Sequence, residues 1–197
     1  MTPARTSSSP ASACAARAFA ALSDERRSWL GWTGEPLARD AIEQLVRLAH
    51  QSPSECNTQP WRFAVAQGAA LERLLPVFLA SNRDKLREAG TAVVVLGDLA
   101  AIDADPKASA FYSVSPFTPR DFAMRNASLA AMSFMLAATA HGYGARPMVG
   151  FDPHALIAET GLPPEWLPVM CIAVGHPDAP RHAPRDRAPL DGVVTFL

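Results

Sequence analysis

Gln51-Ser52-Pro53-Ser54-Glu55-Cys56-Asn57-Thr58-Gln59-Pro60-Trp61-Arg62-Phe63 is the stretch where a helical pattern stops, a polar loop runs and a strand pattern begins. Pro53 and Pro60 each fix their own φ and push the preceding residue out of the helical region, so the loop between them is expected to be rigid. Ser54, Asn57, Thr58 and Gln59 carry side chains that cap turns or hydrogen-bond a planar ligand with a polar edge. Composition alone favours the plainer reading, an ordinary helix-to-strand connection. A rigid polar loop set into an apolar scaffold is nonetheless where binding sites usually sit.

Outward from the loop the patterns are regular. Upstream, Ile42, Leu45, Val46 and Ala49 recur at helical spacing over residues 38–51, with Arg39, Asp40, Glu43 and Arg47 on the opposite face. Downstream, residues 61–66 read as a buried strand and residues 69–79 as a second helix. A short polar segment over residues 81–89 leads into Thr91-Ala92-Val93-Val94-Val95-Leu96, the clearest strand in the chain. Residues 100–119 are irregular, with aromatics at Phe111, Tyr112 and Phe117, and read as a helical turn and a loop. Residues 121–141 give the longest helix pattern, apolar nearly all the way round. Such a helix must be buried on every side, which in a small domain points to a subunit interface and an obligate dimer. A strand over 143–149, a helix over 153–160 and a strand over 169–174 follow. A proline-rich charged tail then ends in a strand-like segment, residues 193–197.

The 197 residues suit one domain with a sizeable core. We expect a leader and short helix over residues 1–22, the helix itself over 13–22, and a single domain over 23–197. The leader's Ser, Ala and Arg content resembles a transit peptide, but the plainer reading is a disordered extension. A net charge of −1 with no basic stripe argues against nucleic acid as a partner. The most apolar run, residues 127–140, falls short of the ~18–20 residues that span a bilayer, so no membrane association is expected. Cys14, Cys56 and Cys171 are odd in number and widely spaced, which argues against a disulfide framework or zinc site and for a reducing, cytoplasmic location. The five histidines fall into no metal-ligand spacing.

Ser-Pro-Ser-x-x-Asn-Thr-Gln-Pro-Trp-Arg-Phe, over residues 52–63, resembles the signature loop of the FMN-dependent nitroreductase family. Arg26-Arg27-Ser28 upstream, Asn82-x-x-Lys85 downstream and Pro147-Met148-Val149-Gly150-Phe151-Asp152 resemble that family's other flavin-contacting segments at its spacing. The resemblance runs from about Glu25 to the C-terminus. It implies an α+β fold with a central mixed β-sheet flanked by helices, in an intertwined homodimer whose C-terminal strand is exchanged between subunits.

The resemblance also implies an FMN-dependent NAD(P)H oxidoreductase. In it, Arg26, Arg27 and Ser28, joined by Arg185 and Arg187 of the tail, take the FMN phosphate. Asn82 and Lys85 hold the pyrimidine edge, Lys85 as electrostatic support for the electrons the ring receives. Ser54 and Asn57 come from the other subunit to touch the ring or ribityl chain, and Met148, Val149 and Gly150 line the face near N5. A flavin needs such a set: cations for the phosphate, a polar rim and apolar contact. No G-x-G-x-x-G motif follows a strand, so NADH or NADPH and the acceptor would use one open flavin face in turn, a ping-pong scheme with a small nitroaromatic, quinone or enone acceptor. No catalytic residue beyond the flavin is expected.

Two departures from the family pattern stand out. Leu30 occupies a position where many members carry a second basic residue, and Glu55 one where they carry a small residue. The run Arg27-Ser28-Trp29-Leu30-Gly31-Trp32 is closer to the malonic semialdehyde reductase-like branch, which leaves reduction of a small aldehyde as an alternative. A flavin-binding protein without turnover is the alternative of another class.

Overall fold

The computed structural model describes residues 10–178 and 186–197. At its centre lies β2 (Thr91–Asp98), in which every residue is buried. Its neighbours are β1 (Trp61–Gln67) on one side and β4 (Trp166–Gly175) on the other, with β3 (Gly144–Met148) beyond β4, giving the order β1-β2-β4-β3. All three pairings are antiparallel. Among the described residues the sheet is therefore antiparallel rather than mixed, since none of its neighbouring strands run parallel.

Alternation along β2 feeds two cores. Val93 and Val95 point to a layer built by α2 (Arg39–Ala49) and α7 (Pro119–Ala140), packing with Ile42, Leu45, Ala130 and Phe134. Ala92, Val94 and Leu96 point the other way, to α3 (Gly68–Leu74), α4 (Ala80–Ala89) and α8 (Pro153–Thr160), packing with Leu71, Leu86 and Leu156. β1 and β3 are the two edges of the sheet.

Several elements differ from the reading of the sequence. The polar segment over residues 81–89 is the helix α4: only Leu86 and Ala89 are buried in it, too few to show as a periodic stripe. It ends at Gly90, whose φ of 71° is left-handed, and a Cβ there would come within 2.6 Å of the Gly34 carbonyl. The helix expected over 69–79 stops at Leu74 and continues as a 3-10 turn holding Pro76. Residues 100–119 contain two short helices, α5 (Leu99–Asp103) and α6 (Pro106–Tyr112), N-capped by the side chains of Asp98 and Asp105. The first helix, α1 (Pro10–Glu25), begins earlier and ends later than expected, while residues 1–9 of the leader lie outside the described residues.

α7 buries one side of itself, including Phe122, Ala127, Ala130, Ala131 and Phe134. Its other side leaves Met124, Leu129 and Met132 42–46% exposed, so within this chain the helix is not enclosed all round. The C-terminal residues 193–197 form no strand of this sheet, and Val193, Val194, Phe196 and Leu197 lie exposed. No helix among the described residues is long and apolar enough to cross a membrane.

Candidate functional site

The backbone N–H of Trp29 donates to the Ala145 carbonyl at 3.0 Å, which lays the Arg26-Arg27-Ser28 segment along the β3 edge. Arg26 is partly buried, and burial, then Arg187, then Arg27 hold its pKa below the ordinary guanidinium value. A partly buried guanidinium whose influential neighbours are cations is one that a bound anion would relieve. Arg187 of the tail is thus within electrostatic reach of Arg26, whereas Arg185 lies outside the described residues. Ser28 is exposed beside them and Leu30 partly buried. The sequence reading passed over Arg146, whose Nη1 donates to the Trp29 carbonyl at 3.5 Å from β3 itself.

The second group forms on the same edge. Asn82 and Lys85 lie one turn apart on α4 and so share a face. Asn82 Nδ2 donates to the Gly150 carbonyl at 3.4 Å, and Leu79 N donates to that same carbonyl at 3.0 Å. Phe78 and Phe151 bridge, and Asp152 N donates to the Val77 carbonyl at 3.0 Å, so the start of α4 is stitched to the segment after β3. Lys85 Nζ donates to the Ser81 carbonyl of its own helix. Met148 corrects one expectation. Strand alternation turns its side chain into the core, 6% exposed, so only its backbone can face a ligand, while Val149 is 73% exposed.

Gly150 leaves a cradle that any side chain would fill: a Cβ there would sit 2.8 Å from Asn82 Nδ2 and 2.8 Å from Leu79 Cδ1. We therefore expect Gly150→Ala to displace Asn82 and to weaken binding of any planar ligand held by that amide about tenfold, the worth of one well-placed hydrogen bond. An unchanged dissociation constant would remove Asn82 from the site.

The third group is the loop that leads into β1. Cys56, Asn57 and Gln59 adopt left-handed φ values of 51°, 56° and 47°, which L side chains rarely hold. Ser54 Oγ accepts from Gln59 N at 2.9 Å, Thr58 Oγ1 donates to the Glu55 carbonyl at 2.9 Å, and Gln59 Nε2 donates to the Asn57 carbonyl at 3.2 Å. Glu55 N donates to Asn126 Oδ1 at 3.3 Å, and the Glu55 carboxylate faces Arg125 of α7 at 3.9 Å. Glu55 thus ties the loop to α7. Nearby, burial and then Glu55 push the Tyr112 hydroxyl up to about 12, keeping it protonated.

The first two groups share the β3 edge, and the third sits at the β1 edge, three inter-strand spacings or roughly 14 Å across the sheet. Among the described residues no cluster of His, Cys, Asp and Glu has the makings of a metal site.

The model of the nitroreductase family matches residues 24–176. YodC of Bacillus subtilis, provisionally named an NAD(P)H nitroreductase, is 31% identical over 188 residues, covering 84% of this chain and 91% of YodC. A provisionally named NAD(P)H:FMN oxidoreductase from Staphylococcus epidermidis superposes with a TM-score of 0.79 at 25% identity, over 91% of this chain and 95% of that one. A structure from Exiguobacterium sibiricum, provisionally named a nitroreductase and solved in complex with FMN, superposes with a TM-score of 0.80 at 24% identity, over 90% of this chain and 96% of that one. A match over the whole sheet, the Arg26-Arg27-Ser28 segment, the Asn82–Gly150 pair and the loop before β1 leaves one conclusion: the chain belongs to the nitroreductase family.

Proposed function

We propose that the chain is an FMN-dependent NAD(P)H oxidoreductase working by a ping-pong scheme on a small nitroaromatic, quinone or enone acceptor. The observation that supports this reading is that the cation group around Arg26 and the Gly150 cradle below Asn82 both lie along β3, the first beside its start and the second just past its end. An anion pocket beside a slot for a flat polar edge is the outline of a flavin mononucleotide. Bound FMN supplies the hydride chemistry; the chain supplies binding, orientation and charge. Arg26, Arg27, Ser28 and Arg187, with Arg185, hold the phosphate. Asn82 fixes the pyrimidine edge, and Lys85 turns from Ser81 to put a positive charge there. Gly150 and the backbone of Met148 and Val149 line the ring near N5.

Ser54 and Asn57 then come from a second copy, because within one chain their loop is at the opposite edge of the sheet. Two further observations support a homodimer. Met124, Leu129 and Met132 give α7 an exposed apolar side, and a groove of about 660 Å³ runs between α2 and the β1 edge, lined by Ile42, Val46, Phe63 and Val65. An edge strand has unpaired backbone groups for an incoming strand, and the apolar C-terminal residues of a partner suit both needs. The buried Cys171, with its thiol pushed up to about 12 by burial, and the exposed Cys14 and Cys56 fit a reducing cytoplasm.

Anaerobic mixing of the yellow protein with NADH and with NADPH tests the reading. We expect the flavin absorbance to bleach with at least one donor and to recover when a quinone, nitroaromatic or enone is added. Recovery only with a small semialdehyde would reassign the acceptor, and no bleaching with either donor would reduce the protein to a flavin carrier.

A further inference from the structure

We infer that Arg62 is a positioning residue that holds Ser54 in the orientation the flavin requires; the inference rests on the flavin reading above. One guanidinium reaches three oxygens. Its Nη2 meets Asp98 Oδ2 at 2.7 Å, and its Nη1 donates to the carbonyls of Gln59 at 3.1 Å and Trp61 at 2.9 Å. The group also lies 5.9 Å from the centre of the Trp166 ring. Asp98 is anchored in turn, since its other oxygen accepts from Ala101 N at 3.2 Å and its own N–H donates to the Pro60 carbonyl at 2.6 Å. Arg62 therefore ties the end of the loop to the last residue of β2 and the first of β4.

Gln59 makes this clamp more than a surface clip. Its carbonyl is held by Arg62, its φ is 47°, and its N–H donates to Ser54 Oγ at 2.9 Å. With the Ser54 oxygen occupied as an acceptor, the hydroxyl proton is turned away from Gln59 and is free to donate outward. Left-handed backbone at Cys56, Asn57 and Gln59 persists only where the surroundings over-determine it. Without the clamp Gln59 relaxes to negative φ, its N–H swings off Ser54, and the hydroxyl loses its aim. The planar fork serves the carboxylate from Nη2 and the two carbonyls from Nη1; the three donors of a lysine ammonium all leave one atom and do not reproduce that spacing.

The experiment is a double-mutant cycle in the full-length protein, reading FMN affinity, the visible circular dichroism of bound flavin and the rate of flavin reduction. Arg62→Lys keeps the charge facing Asp98 but loses the fork. We expect it to raise the FMN dissociation constant about tenfold and to change the flavin dichroism, and Ser54→Ala to do the same. The double variant should then be no worse than the weaker-binding single one, because both act through one hydroxyl. Additive losses, or an Arg62→Lys protein that melts earlier yet matches the parent in affinity and dichroism, would overturn the inference. If Arg62→Lys does not fold, Asp98→Asn loosens the same clamp from its far end. We expect that variant to show the same loss at about threefold, and unchanged affinity in it would also overturn the inference. A parent protein that takes up no FMN sinks the flavin reading, and this inference with it; a parent that binds and bleaches normally, beside equally competent variants, sinks the clamp alone.

Discussion

Deleting residues 191–197 is expected to split the dimer and release FMN together. The segment carries Val193, Val194, Phe196 and Leu197, which this chain leaves 51% exposed or more. Full burial of an aliphatic or aromatic side chain is worth about 1.5–3 kcal/mol, so four of them docked on a partner would contribute roughly 6 kcal/mol even at the low end. Ordering a free arm takes back part of that. We expect at least a hundredfold increase in the dimer dissociation constant, or about 3 kcal/mol net. FMN should follow, because in the proposed assembly the arm carries Arg187 towards Arg26 and the second copy supplies Ser54 and Asn57 to the ring. Sedimentation over a concentration series, with flavin absorbance followed in the same cells, reads both effects. A truncated protein that stays dimeric and yellow would make the tail a loose end and leave the groove beside β1 without its occupant.

How far the fold was legible follows from where apolar residues face. β2 was plain because it is covered on both faces, so its sequence is apolar without interruption, and α8 was read with its observed bounds because Pro153 and Gly161 mark its ends. α4 was missed because a helix with two buried residues has almost no stripe to show. α5 and α6 lie where the sequence reads only as a helical turn and a loop, although Asp98 and Asp105 announce their starts; a helix of one or two turns gives the cap signal but too little periodicity to confirm it. Arg26, Arg27 and Ser28 stand out only through the family resemblance, and nothing in the order of residues says that Gly150 would fit under Asn82, 68 positions away. The Arg62–Asp98 pair and the reach of Arg146 to Trp29 are likewise products of sheet register, which brings the start of β1 to the end of β2 and the loop before α2 to β3. Local pattern carries elements and motifs; the distances between motifs belong to the tertiary fold.

Lys85→Met is expected to leave the fold intact and to slow flavin reduction at least tenfold. Fold and function separate here because of where the side chain sits. The core contacts of α4 are made by Leu86 and Ala89, while Lys85 is partly exposed and its ammonium donates only to the Ser81 carbonyl one turn back. Methionine keeps the length and helix propensity, so the stability change should stay within about 0.5 kcal/mol, a shift of roughly 2 °C in Tm for a chain of this size. For the reaction the balance is different. Asn82, one turn away on the same face, is fixed against Gly150, so a ligand edge held by Asn82 lies within the sweep of the lysine side chain. A charge-assisted contact there is worth about 1.5–3 kcal/mol, and since it strengthens as electron density arrives at that edge, most of the loss should appear in the rate rather than in FMN affinity. FMN should remain bound through Arg26, Arg27 and Arg187. Lys85→Arg keeps the charge and should recover most of the rate. Stopped-flow reduction of the three proteins by NADPH, at matched flavin occupancy, measures the difference, and equal rates in parent and methionine variant would return Lys85 to the status of a surface residue on α4.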